Sequence, residues 1–191
     1  FPGNVPRPVV SNSNFVPGQI MNAPFTVGLS PTGQFKMYST TVTDMVIDVL
    51  GYYSSDVTDI NGAGLSFSPL TTPIRLLDTR AGFSACTTPG APISAATMVS
   101  QLAHGVCQGQ TIPNTSLAVV GNATIVYPAG DGYLTLWPSN VLQPTVSASN
   151  FTAGEIFSRH FIVGLGPDGA FKIFPSVTTE LVIDLFGYFA P

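Results

Sequence analysis

The residues able to do chemistry in this chain are few, and most are acids. Asp48 and Asp184 each interrupt an otherwise apolar run, Met45-Val46-Ile47-Asp48-Val49-Leu50-Gly51-Tyr52-Tyr53 and Leu181-Val182-Ile183-Asp184-Leu185-Phe186-Gly187-Tyr188-Phe189. Side chains alternate along a strand, so both faces around each acid are apolar, as in a strand covered on both sides. A carboxylate left unpaired there would be costly. The sequence therefore calls for a structural ion pair or a ring of backbone N–H donors. Cations are scarce: Arg7, Lys36, Arg75, Arg80, Arg159 and Lys172 are all there are. Arg75 and Arg80 are the candidate partners for Asp184. Asp48 has no arginine-bearing strand before it in its own half, so if the pairing holds for Asp184, Asp48 takes its arginine from elsewhere, another chain included. A Ca²⁺ site drawing on Asp78, Asp131 and Asp168 is the sharper alternative, but no EF-hand or RTX-type spacing supports it.

Catalysis finds little footing. The histidines, His104 and His160, belong to no HExxH, and neither a G-x-S-x-G elbow, a phosphate loop nor a Cys/His metal spacing occurs. The expectation is a non-enzymatic protein without catalytic, metal or cofactor residues. Cys86 and Cys107 are two free thiols or one disulfide. An even count in a Gly-, Pro- and Ser-rich, charge-poor chain favours the disulfide and an oxidising compartment. Closing that loop would contribute about 3 kcal/mol on the chain-entropy argument. Trp137 and Tyr133, with Tyr127, Phe1 and Phe151, are candidates for stacking on sugars, against the plainer reading of core or interface aromatics. Asn114, Asn122 and Asn150 head formal glycosylation sequons.

The elements that must hold these residues follow from composition and repetition. Of 191 residues, 45% are hydrophobic and only 8% charged, with net charge −4. Such a chain folds rather than staying disordered. Its scattered cations do not form the basic patch that nucleic-acid binding draws on. No run approaches the length of a membrane-spanning helix. The poverty of surface charge suggests cover by neighbours or an extracellular setting. A first residue other than Met suggests a removed leader or a piece of something longer.

The two acid-bearing runs are copies. Gly51 and Gly187 lie 136 positions apart (187 − 51), and that offset holds without a gap from Phe1 to Tyr53, with close to half the positions identical. Ser13-Asn14-Phe15 falls on Ser149-Asn150-Phe151, Val27-Gly28-Leu29 on Val163-Gly164-Leu165, and Phe35-Lys36 on Phe171-Lys172. An internal repeat of this kind outranks other readings of the chain. Strands are expected over 73–80, 116–127, 133–137, 144–151, 161–165, 170–174 and 181–189, with their copies in 1–53. Turns fall at Pro17-Gly18, Gly154 and Gly166-Pro167-Asp168-Gly169. Nothing carries helical periodicity with helix-start signals. The organisation read from this is a half module over 1–53, a linker over 54–64 and a complete module over 65–191.

Leu76-Leu77-Asp78-Thr79-Arg80, the two cysteines, Gly132-Tyr133-Leu134-Thr135-Leu136-Trp137-Pro138, Ser149-Asn150-Phe151 and Val182-Ile183-Asp184-Leu185-Phe186-Gly187-Tyr188-Phe189 resemble a β-rich repeat module of secreted and surface-anchored bacterial proteins. Gly121-Asn122-Ala123-Thr124-Ile125 departs modestly from the "NVTV" strand of such modules. The resemblance spans about 74–189 in full and 1–53 as a half. It implies extracellular, cell-surface placement and an architectural or adhesive role.

The resulting expectation is an all-β chain of antiparallel sandwich modules, one complete and one half. A half sandwich exposes strand edges and an apolar face; missing strands outside this sequence, packing on the complete module, or strands supplied by a neighbouring chain would each repair it, and low charge and the half module favour the last. The function expected is a structural subunit of an extracellular bacterial fibre, pilus-like appendage or surface layer. It would assemble with itself head to tail, with inter-chain strand complementation. The alternative is an adhesive or carbohydrate-binding module of a larger secreted protein, with surface glycans as its partners.

Overall fold

In the computed structural model, residues 1–54 and 64–191 are described, and two compact units, Phe1–Asp48 and Val49–Pro191, are distinguished. Apart from its ends, Ser54 and Gly64, the expected linker lies outside the described residues. The described residues contain no helix, and every strand pairing within the sheets is antiparallel.

The described residues of the larger unit carry ten strands: β1 (Ser66–Asp78), β2 (Val99–Leu102), β3 (Gly105–Cys107), β4 (Gln110–Ile112), β5 (Ala118–Val126), β6 (Gly132–Pro138), β7 (Ser149–Phe151), β8 (Ile156–Gly164), β9 (Ala170–Pro175) and β10 (Glu180–Ala190). They form two four-stranded sheets, ordered β1-β10-β5-β8 and β2-β9-β6-β7, and a β3-β4 hairpin. One cluster of buried side chains joins the two sheets. Val119, Ile125, Ile183 and Leu185 enter it from the first sheet, and Leu134, Leu136, Phe171 and Ile173 from the second. Because successive side chains of a strand point to opposite faces, these residues fall on the inner faces. β10 is central: it pairs β1 on one side and β5 on the other, so its inner residues Leu181, Ile183 and Leu185 are fully buried.

Several elements depart from expectation. β1 begins at Ser66, well before Pro73, and β8 begins at Ile156 rather than at 161. Only Ser149–Phe151 of the expected 144–151 strand pairs. The preceding stretch instead lies across the outer side of β6, where Thr135 donates to the Val146 carbonyl and Trp137 to the Val141 carbonyl. Three short strands, β2, β3 and β4, lie within or beside the Cys86–Cys107 region, where the sequence gives a loop.

The largest correction concerns residues 1–53. The expected strands are absent there; the described pairing is one bridge, Pro2 to Phe35. The turns, however, recur with the repeat. Ser30 N–H donates to Gln34 O and Gly33 N–H to Ser30 O, as Gly166 does to Ala170 and Gly169 to Gly166. Val5 N–H reaches Pro2 O as Val141 reaches Pro138, and the Pro2–Phe35 bridge repeats the Pro138–Phe171 pair of β6 and β9. Gly18 and Gly33 take φ of 76° and 74°; their counterparts Gly154 and Gly169 take 71° and 74°. A turn closes over four residues and forms on its own chemistry. A strand needs a neighbour to receive its N–H and C=O groups. The counterpart of 45–53 is β10, whose neighbours β1 and β5 lie in a part of the module that occurs once in this chain.

Candidate functional site

The densest chemistry sits where β1 meets β10. Opposed in register, Arg75 and Asp184 form a two-point pair: Arg75 Nε donates to Asp184 Oδ1 at 2.9 Å and Nη2 to Oδ2 at 3.3 Å. Asp184 points outward from the sandwich, because the odd-numbered residues of β10 take the inner face. The third guanidinium nitrogen of Arg75 reaches Asp78 Oδ2 at 3.3 Å. Asp78 is itself wrapped by Arg80, which donates its backbone N–H at 3.1 Å, Nε at 2.9 Å and Nη2 at 2.8 Å. The Arg80 guanidinium lies 3.8 Å from the Phe83 ring centroid. Thr79 donates its hydroxyl to Glu180 and accepts the Leu181 N–H at 2.8 Å, tying the end of β1 to the start of β10.

Charge follows this geometry. The Arg80 hydrogen bonds hold the Asp78 carboxyl below the usual carboxylate value. Hydrogen bonding to Asp184 raises Arg75, and hydrogen bonding to Asp78 raises Arg80. The sequence offers Arg80 or Arg75 to Asp184; the structure selects Arg75 and gives Arg80 to Asp78. That acid entered the sequence reading only as a calcium candidate. The available signal was the two-residue spacing in Asp78-Thr79-Arg80, which lets an arginine fold back on an acid at a strand end. Asp48, the fourth member of the expected ion-pair set, forms no ion pair among the described residues. Its expected arginine is not supplied within the described chain.

The outer edge of β1 is closed in this region. Arg75 N–H donates to Gln108 Oε1 at 3.0 Å, Cys86 N–H to Arg75 O at 3.0 Å, and Thr87 N–H to Leu76 O at 2.9 Å. Cys86 and Cys107 are disulfide-bonded with Cα atoms 5.7 Å apart, so the covering segment and the β3-β4 hairpin are fastened together beside β1. Covering an edge in this way removes a template for unwanted strand addition. Between the cover and the strand lies a shallow cleft of about 430 Å³, lined by Arg75, Ser84, Gln108, Asp184 and Phe186. Its arginine and carboxylate already satisfy each other, so it offers polar contact but no activated group.

The remaining candidates separate. Trp137 is 2% exposed and donates its indole N–H to Val141 O at 3.2 Å, which fits the plainer reading of a core aromatic and not the sugar-stacking alternative. Tyr133 is exposed, with its ring centroid 6.3 Å from that of Phe174. Asn114 lies in an exposed turn, while Asn122 and Asn150 are half-buried in β5 and β7. The calcium candidates sit apart on separate partners. Asp131 accepts the Ala153 N–H at 2.8 Å, and Asp168 accepts the Ser139 hydroxyl and the Ala170 N–H. His104 Nε2 lies 3.0 Å from Ser116 O, and His160 is exposed on β8.

Apolar side chains of 1–53 are exposed where their counterparts are buried. Val46 is 89% exposed where its counterpart Val182 is 4%, and Val49 is 79% exposed where Leu185 is fully buried. Phe25, Leu29 and Met37 are likewise exposed where Phe161, Leu165 and Ile173 are buried. Comparison with known proteins adds no name to this arrangement: no family model matches the chain, and no curated protein matches it.

Proposed function

We propose that this chain is a structural subunit of an extracellular bacterial fibre, pilus-like appendage or surface layer, joined head to tail to modules of its own kind. The observation that carries the reading is the pairwise difference in burial between 1–53 and 137–189. The same side chains that form a core in one copy face water in the other. Exposed apolar surface of that extent marks a contact site on a folded protein. The disulfide, the low charge and the β-rich architecture suit an oxidising, extracellular setting. Among the described residues no helix is long and apolar enough to cross a membrane.

Electron microscopy of the native material, with native mass measurement across a concentration series, tests the proposal. Elongated assemblies that dissociate when Val46 and Val49 are both replaced by Lys support it. A discrete monomer at every concentration refutes it. The adhesive alternative retains Tyr133 but loses the stacking face of Trp137.

A further inference from the structure

We propose that the outer face of the first sheet binds a neutral oligosaccharide, held along the cross-strand row Arg75, Asp184, Asn122 and His160 and against the ring of Phe186. The site lies wholly within the larger unit and stands independently of the fibre reading.

Pairing register builds the row. Arg75 of β1 is opposite Asp184 of β10, Asp184 is opposite Asn122 of β5, and Asn122 is opposite His160 of β8. Directly opposed residues project to the same face of a sheet. Ala123, Ile125, Phe161, Val163, Ile183 and Leu185 occupy the inner face, so alternation turns the four polar side chains outward. Each strand of the sheet thus contributes one hydrogen-bonding group at one level. With strands about 4.8 Å apart, the row spans about 14 Å, the length of a short oligosaccharide. One level along, Thr124 donates its hydroxyl to Ser158 at 3.1 Å, which sets two more polar groups beside Asn122 and His160.

The strand pairing is irregular on either side of the row. β1 and β10 shift register between Pro69 and Ile74 and again between Arg75 and Leu77; β10 and β5 shift between Leu185 and Gly187. Bulges re-aim side chains and gather beside functional sites. Here Phe186 is the residue left without a register partner on β1 or β5, and it lines the cleft of about 430 Å³ together with Arg75 and Asp184. Small-molecule sites occupy about 300–1,000 Å³. Gly121, beside Asn122, brings β5 close to β10 at this level, since a Cβ there would run into Asp184 O.

The chemistry of the row selects the ligand. Arg75 and Asp184 hold each other through two hydrogen bonds, so the pair presents no net charge, yet their side chains stay 34% and 27% exposed. A polyanion is drawn by uncompensated cations, and a hard metal ion by several free carboxylates; this row presents neither. It presents guanidinium, carboxylate, amide and imidazole groups, which supply donors and acceptors side by side. Sugar hydroxyls both donate and accept, and the C–H face of a sugar ring packs on an aromatic such as Phe186. Mounting the polar groups on paired strands fixes them before the ligand arrives, which lowers the ordering cost of binding.

The test uses the full chain on a printed array of neutral, uronic-acid-bearing and sulfated oligosaccharides, then calorimetric titration of the neutral oligosaccharide that binds best. The expected result is preference for neutral sugars, with an affinity that does not fall as salt is raised. Asn122→Ala and His160→Ala should each weaken binding about tenfold, the effect of one lost hydrogen bond. Both should keep the wild-type urea midpoint followed by Trp137 fluorescence. In the wild-type protein the side-chain amide resonances of Asn122 should move as sugar is added. Absence of binding to any neutral sugar overturns the inference. So does a salt-sensitive preference for acidic or sulfated sugars, or wild-type affinity in both variants. A loss confined to Tyr133→Ala would overturn it by moving the site to the second sheet. Loss of self-assembly in Asn122→Ala and His160→Ala would overturn it by giving the face to a protein contact. Sugar binding by a chain that never self-assembles would sink the fibre reading and leave this site standing. Assembly without sugar binding would do the reverse.

Discussion

Replacing Asp78 by Asn removes the charge on which Arg75 and Arg80 converge while keeping the side chain's size. The Asp78 side chain is 0% exposed and accepts four donors, three of them from Arg80. Stripping one partner from a buried ion pair costs about 3–5 kcal/mol. The cost here is lower for two reasons. Arg80 and Arg75 are 27% and 34% exposed and regain water when released, and Asn keeps one acceptor oxygen. The expected loss is about 2–3 kcal/mol. Urea unfolding followed by Trp137 fluorescence measures it, because that single tryptophan is buried in the complete module. With an unchanged slope, the midpoint should fall by about 1–2 M. The pH dependence supplies an independent check. Asp78 is held below its usual value near 3.8, so its contribution is complete above that value. It is lost as pH falls through the lower folded value, because the unfolded chain takes up the proton first. Wild type should therefore lose stability below about pH 4 more steeply than Asp78→Asn does. A variant within about 0.5 kcal/mol of wild type at neutral pH would refute the assignment of Asp78 as the charge centre. So would an unchanged acid slope.

Gly121→Ala should be among the most damaging changes, costing about 3 kcal/mol, since its Cβ would run into Asp184 O of the neighbouring strand. A variant with the wild-type urea midpoint would contradict the β5–β10 register. Reducing the Cys86–Cys107 disulfide should lower stability by about 3 kcal/mol, read as a midpoint shift with and without reductant. Brief trypsin treatment should cut after Lys36, exposed in the smaller unit, well before Arg75 or Arg80 in β1 and its closing turn. Mass spectrometry of the first fragments decides this, and early cleavage at Arg75 would count against the closed edge.

Much of residues 65–191 was legible in the sequence because its strands are β-branched or apolar runs bounded by turn residues. β5, β9 and β10 announce themselves by such runs, and the 136-position repeat locates β7, β8 and β9 relative to them. The ion-pair site was half legible. Scarcity of cations narrows the partner of Asp184 to two arginines, but choosing between them requires the β1–β10 register, a property of two strands far apart in the chain. Trp137 reads chiefly as a core or interface aromatic, and the structure adds its partner, the Val141 carbonyl. β2, β3 and β4 were missed because each is only three or four residues long and takes its regularity from the strand beside it.

Residues 1–53 separate the two kinds of information most cleanly. The sequence alone determined their turns: Gly18 and Gly33 adopt the positive φ of their counterparts, and the hydrogen bonds around Pro2, Ser30 and Gln34 form as they do in the complete module. Each of these rests on residues local to this half. Whether Met45–Tyr53 becomes a strand was decided by tertiary structure. An extended segment pairs only when neighbours receive its backbone groups and cover its side chains; β1 and β5 perform that service for β10, and among the described residues neither pairs with Met45–Gly51. Asp48 and Gly51 keep in sequence the residues that in β10 lie against Arg75 and Phe67.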